Sequence, residues 1–548
     1  MFHTLPEAFQ HACRQRPDTV ALRTPGDAVR LTWAQYDEAV RRIAGGLASL
    51  GVRRGDTVAV MLTNRPEFHL AATAAEHLGA TSYSIYNTSA VEQITFLLTN
   101  AATRVVITER QFADKVRQAG GPVEHLLVVE DGDLDRLEPA DDFDFEAAWR
   151  AVSPDDVLCL IYTSGATGDP KGVQHTHRSM LAIMEAMGSV FDTRPTDQAL
   201  SYLPAANVAD RVLNHYLAQA SGPEVTCVAE LSDLPGALAE LQPTIFAAVP
   251  RVWEKLKLAV DLQLQANPQL AAGFEAGAPQ VLEAVRTKLG LSRVRWALTG
   301  ASAIAPDVYA FLVKLGIPVS EVWGMSEIGM ASAAAPDKAK PGTVGPLLPG
   351  WEGRLAEDGE LLVRGPGVMA GYRNDPVRTA EAIDAEGWLH TGDIATMDDE
   401  GYLTIVDRKK ELIINAAGKN MSPSNIENAV ISGSPLIGTV MVIGDNRPYN
   451  VALITLAPDA VPVFAARLGL DPDPAVLAKD ERLRQAVQEG VDAGNARLSR
   501  VEQIKRFTIL PVFWEPGSEE LTPSMKLRRR PVLAKYAAEI ESLYLEKS

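Results

Sequence analysis

Asp156-Val-Leu-Cys-Leu-Ile-Tyr162 runs without a break into Thr163-Ser-Gly-Ala-Thr-Gly-Asp-Pro-Lys-Gly172. The first half reads as a buried strand. The second is a loop of glycines and hydroxyl residues closed by Lys171. Glycines let successive N–H groups turn toward one point, hydroxyls add donors, and lysine adds a cation, so the loop forms a nest suited to a polyphosphate. It is not a Walker A loop, which needs a wider gap between its glycines and a Ser or Thr after the lysine. A plain Gly-rich surface turn is the alternative. The strand leading in and the closing Lys171 favour phosphate.

Upstream, helix-like and strand-like segments alternate. Thr32 and Gln35 make a capping-box pattern. Behind them Trp33, Tyr36, Val40, Ile43, Leu47 and Leu50 recur at helical spacing, and Gly51 closes the run. Asp56–Leu62, Arg104–Glu109 and His125–Glu130 read as strands. This alternation predicts an α/β class of layered sheets with much parallel pairing. From about residue 340 glycine and proline become dense and short strands appear, such as Glu360–Arg364. Gly401–Glu411 reads as a strand ending in a charged turn. Further strands are expected at Thr439–Ile443 and Asn450–Leu456, with helix from about 474 to 500 and one amphipathic helix over the last eighteen or so residues. A boundary near Lys410 divides the chain into 1–409 and a smaller unit at 410–548, of ordinary domain size.

The 548 residues exceed what one core supports, so several structural units are expected. With 46% apolar and 22% charged residues the composition is that of a globular protein. The net charge of −18 speaks against nonspecific nucleic-acid binding, so an anionic substrate needs a local basic pocket. Three scattered cysteines, Cys13, Cys159 and Cys227, give neither a disulfide framework nor a zinc site. His175 and His177 lack a nearby third ligand and read as the polar start of a helix. The N-terminus does not resemble a signal peptide, and no apolar run is long enough to span a membrane. A cytoplasmic location is expected, with peripheral membrane contact and oligomeric state left open.

Four further segments carry chemistry. In Glu321-Val-Trp-Gly-Met-Ser-Glu327 an aromatic face can stack on a purine and a carboxylate suits Mg²⁺. A core Trp followed by a helix-capping Glu is the bland reading. Thr391-Gly-Asp393 and Val406-Asp-Arg408 supply a carboxylate that can accept two ribose hydroxyls and an arginine that can donate to ribose or phosphate. Alone they are a turn and a solvated charge. Leu521-Thr-Pro-Ser-Met-Lys526-Leu-Arg-Arg-Arg530 is a cation-rich tail segment, either a solvated basic face or a source of charge for a site.

Taken together and in this order, the five segments resemble the adenylate-forming superfamily, which includes acyl-CoA synthetases, luciferases and nonribosomal adenylation domains. The resemblance covers nearly the whole chain. It implies a large adenylation domain of several subdomains at 1–409 and a small mobile α+β domain at 410–548. It also implies ATP and coenzyme A as cosubstrates and Mg²⁺ as cofactor. By resemblance, ATP or AMP is held by Thr163, Ser164, Gly165, Ala166, Thr167, Gly168 and Lys171, by the small-residue loop Gly300, Ala301 and Ser302, by Glu321, Val322, Trp323, Gly324, Met325 and Ser326, and by Asp393 and Arg408. Glu327 would hold Mg²⁺, with Thr167 a second candidate. Lys526 would reach from the tail to the carboxylate and α-phosphate. Lys410 would be the hinge, and Gly418 and Lys419 would face CoA after the domain swings.

Asn207, in Leu203-Pro-Ala-Ala-Asn207-Val-Ala-Asp-Arg211, stands where relatives usually have histidine. Asparagine donates a hydrogen bond but carries no charge. A loop Asn satisfying its own backbone is the alternative to a substrate role. Asn207, Gly300 and Gly324 are the acyl-side candidates. Ser84–Gln93, Lys409–Asn420 and Thr522–Arg529 resemble the long-chain fatty acyl-CoA synthetases most. The expected reaction is therefore two-step: acyl-AMP and pyrophosphate from carboxylate and ATP, then acyl-CoA and AMP. The alternatives are transfer to a carrier-protein thiol, or a bulky, cyclic or aromatic acid.

Overall fold

The computed structural model describes residues 2–163, 169–416, 419–515, 517–522 and 525–545. The expected helix runs from Trp33 to Ser49, and its capping box is formed: the Thr32 hydroxyl accepts from Gln35 N while the Gln35 side chain accepts from Thr32 N. Its stripe of Trp33, Tyr36, Val40, Ile43 and Leu47 is buried.

The strand that opened the sequence reading, Val157–Thr163, lies inside a seven-stranded sheet. On one side it continues in parallel through Thr81–Ser84, Thr57–Met61, Val105–Thr108 and His125–Val128. On the other it pairs antiparallel with Lys171–Thr176, which in turn pairs antiparallel with the two-residue strand Gly371–Tyr372. The nest loop therefore joins two neighbouring strands near one edge of the sheet.

A second sheet sets Ile245–Ala248, Trp296–Thr299 and Val319–Met325 in parallel, with Gly329–Ala333 folded back against the last. A third is antiparallel and ends in Leu389–Met397 and Leu403–Arg408. A mostly parallel sheet at Gln198–Ser201, Glu224–Cys227 and Val20–Arg23 completes the front part, with Arg30–Thr32 antiparallel at its edge. Layered α/β architecture follows, as the alternation predicts.

Beyond residue 410, two apolar clusters, one running from Ile413 to Ile509 and one from Met441 to Leu543, are built only from residues of the rear part. They enclose the sheet Ile437–Ile443, Asn450–Leu456 and Ile504–Ile509. Two helical expectations need correction here. The stretch after 474 is split into Pro474–Leu477 and Glu481–Asn495, because the Asp480 carboxylate caps a fresh start by accepting from Arg482 N and Leu483 N. The final helix is likewise two, Arg529–Lys535 and Ala537–Leu545, broken at Tyr536. The break leaves the Tyr536 ring against Trp514, whose indole N–H reaches the Tyr536 hydroxyl at 3.3 Å, and buries Val532, Ile540 and Leu543.

Candidate active site

Thr163 and Lys171 face each other across the strand pair on either side of the nest loop. Ser164, Gly165, Ala166, Thr167 and Gly168 lie outside the described residues, as does Gly418. The Lys171 ammonium sits 4.6 Å from the centre of the Tyr372 ring. The Tyr372 hydroxyl donates to Glu327 Oε1 at 2.8 Å. Burial, then the Glu327 charge, pushes the Tyr372 phenol up, so it stays a donor.

Glu327 does not cap a helix. It occupies the turn of a β-hairpin, between Val319–Met325 and Gly329–Ala333. This hairpin is tight: a Cβ on Gly324 would lie 1.9 Å from the Gly329 carbonyl oxygen, so only glycine fits there. Ser326 is held through its carbonyl, which accepts from His175 Nε2 at 2.7 Å. A carbonyl can only accept, so His175 carries its proton on Nε2. His175 is therefore a buried brace, and His177 opens the helix His177–Gly188. Among the described residues no group of three His, Cys, Asp or Glu is arranged to hold a metal.

Trp323 is buried, and its indole N–H donates to Asp393 Oδ2 at 2.8 Å. Asp393 Oδ1 meets Arg408 Nε, also at 2.8 Å, and the two residues are cross-strand partners. Arg408 Nη1 adds a bond to the Thr391 carbonyl at 3.2 Å. Thr391-Gly-Asp393 is thus part of a strand rather than a free turn, and Arg408 is not a merely solvated charge. Burial pushes the Asp393 carboxyl up, against the pull of the Arg408 guanidinium.

Lys526 arrives from the rear part. Leu521 and Leu527 bridge the base of its loop, and Thr522 N donates to the Lys526 carbonyl at 2.8 Å while Lys526 N donates to the Thr522 hydroxyl at 2.9 Å. Met525, just before it, has φ +65°, in the left-handed region. Lys526 is exposed to water, with the Arg408, Asp393, Glu411 and Glu327 charges close enough to act on it. Desolvation, followed by the Arg408 guanidinium, pulls its ammonium below the ordinary lysine value, while Asp393, Glu411 and Glu327 oppose that shift. Trp323, Asp393, Arg408, Glu327 and Lys526 therefore share one electrostatic neighbourhood.

The remaining candidates take other places. Gly300, Ala301 and Ser302 follow the strand Trp296–Thr299; Gly300 packs on Val322, where a Cβ would come 3.0 Å from Val322 Cγ2, and Ala301 is left-handed at φ +71°. Met325 closes the hairpin opposite Gly329. The Glu321 carboxylate accepts from Gly342 N at 3.0 Å, which makes it a loop tether. Asn207 does not satisfy its own backbone: its Oδ1 accepts from the Tyr86 hydroxyl. Lys419 is exposed, its N–H donating to Asn415 Oδ1 at 2.9 Å. No contact joins Asn207 or Lys419 to the cluster around Asp393 among the described residues. In the basic tail, Arg529 is not free but forms a two-pronged pair with Glu427 at 2.7 and 2.8 Å. Tyr372 and Tyr86 were not singled out from sequence, though Tyr86 lay inside the Ser84–Gln93 stretch already noted; His175 was read as the polar start of a helix, and its role as a brace for Ser326 was not foreseen.

The fold is similar to that of solved CoA ligases. The anthranilate CoA ligase AuaEII, solved with anthranoyl-AMP, superposes with a TM-score of 0.78 over 98% of both chains at 19% identity. A Mycobacterium tuberculosis fatty acyl CoA synthetase gives 0.66 over 98% of this chain and 99% of its own, at 24% identity. In sequence, residues 9–373 match the AMP-binding enzyme family and residues 410–548 match the AMP-binding enzyme C-terminal domain. The chain belongs to the AMP-binding enzyme family. Long-chain-fatty-acid–CoA ligase FadD15 of Mycobacterium bovis is 33% identical over 98% of this chain and 96% of its own. The Mycobacterium tuberculosis protein fadD11, provisionally named a fatty-acid–CoA ligase, is 48% identical over 75% of this chain and 78% of its own.

Proposed function

We propose that the cleft between Trp323, Asp393, Arg408, Glu327 and Lys526 activates a long-chain fatty acid for transfer to coenzyme A. The chain is an ATP-dependent acyl-CoA synthetase, an acid–thiol ligase. In the first step a carboxylate oxygen bonds to the α-phosphorus and the bond from that phosphorus to the bridging oxygen breaks, releasing pyrophosphate. In the second, the CoA thiolate attacks the acyl carbon and AMP departs. The observation that carries this reading is the Trp323–Asp393–Arg408 network, whose charges, with that of Glu327, act on the tail cation Lys526.

In this reading Asp393 accepts from the ribose hydroxyls, Arg408 steadies that carboxylate and donates toward phosphate, and Trp323 packs beside the base. Thr163, Lys171 and the loop residues between them cradle the phosphates. Lys526 meets the negative charge that grows when one anion attacks another, where a fixed cation lowers the barrier. Glu327 fits a divalent ion: its carboxylate is buried, one oxygen takes the Tyr372 hydroxyl, and the other takes no hydrogen bond from a described residue. A single carboxylate is enough for Mg²⁺ that draws its other ligands from phosphate and water, and the bound ion neutralises phosphate charge. Gly300 and Gly324, which pack closely against Val322 and Gly329, are the backbone candidates on the acyl side, and Asn207 keeps its amide N–H₂ for the substrate because Tyr86 occupies its oxygen. Residues 410–548 act as the mobile domain, with Lys410 as hinge and Gly418 and Lys419 turned to CoA in the second step. The family match over the same span supports that division. The long-chain reading is supported by the name of the FadD15 relative, and the fatty-acid reading by that of fadD11 as well. Three buried free thiols accord with a cytoplasmic enzyme.

Pyrophosphate release with a panel of acids, run with and without CoA, tests the proposal. Long-chain fatty acids should give the highest turnover, and turnover should require CoA. Acyl-AMP accumulating despite CoA would point to another thiol acceptor, and preference for an aromatic or cyclic acid would overturn the acyl assignment.

A further inference from the structure

Tyr372 lies among residues that none of the five motifs includes, yet it touches two of them at once. Its hydroxyl reaches Glu327 and its ring face carries the Lys171 ammonium. The ring is buried, with 6% of its surface exposed. Its backbone is fixed from several directions. Tyr372 N donates to the Thr379 hydroxyl at 2.9 Å. Met369 N donates to the Glu327 carbonyl, and Ala370 N to the Gln174 carbonyl, both at 2.8 Å. Arg373 N donates to the Gly172 carbonyl at 2.7 Å.

Gly371 makes that path possible: its φ is +138°, and a Cβ there would come 2.9 Å from the Thr379 side chain. The His175 bond to Ser326 closes the frame from the other side. Three segments far apart in sequence, 171–176, 326–327 and 369–373, are thereby locked together around one phenol.

We propose that Tyr372 is a positioning residue for the phosphate end of the site, holding the Glu327 carboxylate by its hydroxyl and the Lys171 ammonium by its ring. The proposal rests on the assignment of ATP to this cleft. Its physical content is a division of labour within one side chain. The hydroxyl fixes the rotamer of the carboxylate that faces the metal, while the π face holds the lysine without neutralising it, as a carboxylate would. Lys171 thus keeps its full charge for phosphate.

Calorimetric titration with ATP, in the presence and absence of Mg²⁺, separates the two contributions. Tyr372→Phe keeps the ring and loses the hydroxyl. It should bind metal-free ATP as the unaltered protein does and Mg·ATP about tenfold more weakly, the size expected for one hydrogen bond to a charged group. Tyr372→Leu loses the ring as well and should weaken both forms. Combining Tyr372→Phe with Glu327→Gln should cost no more Mg·ATP affinity than Glu327→Gln alone, because both act through one carboxylate.

Strictly additive losses, or a Tyr372→Phe protein with a lower thermal midpoint but unchanged Mg·ATP binding, would overturn the positioning role and leave a packing role. Absence of ATP binding by the unaltered protein would instead sink the ATP assignment itself, so the two failures are distinguishable.

Discussion

Lys526 shows how a residue's surroundings set its chemistry. Surrounding protein and the Arg408 guanidinium draw its ammonium below the ordinary lysine value, about 10.4. The charged form exists below the folded pKa and is lost as pH rises through it, so an activity that needs the charge must fall on the alkaline side. We expect kcat/KM for ATP in the adenylation half-reaction to decline at a pH below that of a free lysine, since this ratio reports the free enzyme. Lys526→Arg, whose guanidinium stays protonated, should lose that alkaline limb while keeping measurable adenylation. An unchanged limb would assign it to another group. At this scale the sequence exposed residues inside contiguous motifs, such as Trp323, Asp393 and Arg408. It concealed partners that arrive from elsewhere in the chain. Nothing beside His175 announces Ser326, 151 positions away, and nothing beside Asn207 announces Tyr86. Local pattern reports the neighbours in sequence, whereas these bonds depend on which strands become adjacent.

Among the elements, a part-buried ion pair ties two helices of the rear part together. Glu427, on the helix Pro423–Ile431, accepts two bonds from Arg529 on the helix Arg529–Lys535 and one from Val442 N in the neighbouring strand at 2.8 Å. The two side chains are only 10% and 16% exposed. Removing Glu427 leaves the part-buried Arg529 only its longer pairing with Glu411 at 3.5 Å. Glu427→Ala should therefore destabilise the rear part by about 3–5 kcal/mol, read from urea unfolding, and replacing both partners with apolar residues of similar volume should restore most of it. A loss below about 1 kcal/mol, typical of exposed pairs, would contradict the pairing. Elements with a strong internal signal were legible: the capped helix Trp33–Ser49 and the strand Asn450–Leu456 lie where periodicity puts them. The breaks at Asp480 and Tyr536 were not. Each depends on a side chain choosing a cap or a tertiary partner over continuing a helix, and that choice is made by packing.

At the scale of the whole molecule, the proposed site draws its base, ribose and phosphate contacts from a front part of layered sheets and its lysine, Lys526, from the rear part. The two apolar clusters beyond residue 410 contain no front residue, so the rear part can hold its own shape while it delivers the lysine. This separation makes the function divisible. On the proposed reading the lysine is needed where charge accumulates at the α-phosphate, and it has no task when a thiolate attacks a preformed acyl-adenylate. The direct test is the Lys526→Ala protein assayed in both half-reactions, as pyrophosphate release from acid and ATP and as acyl-CoA formation from supplied acyl-AMP. Adenylation should fall by about 100- to 1000-fold, the loss typical of one electrostatic stabiliser, while thioester formation stays within a few-fold of normal. Equal losses in the two half-reactions, or no loss in the first, would contradict the account.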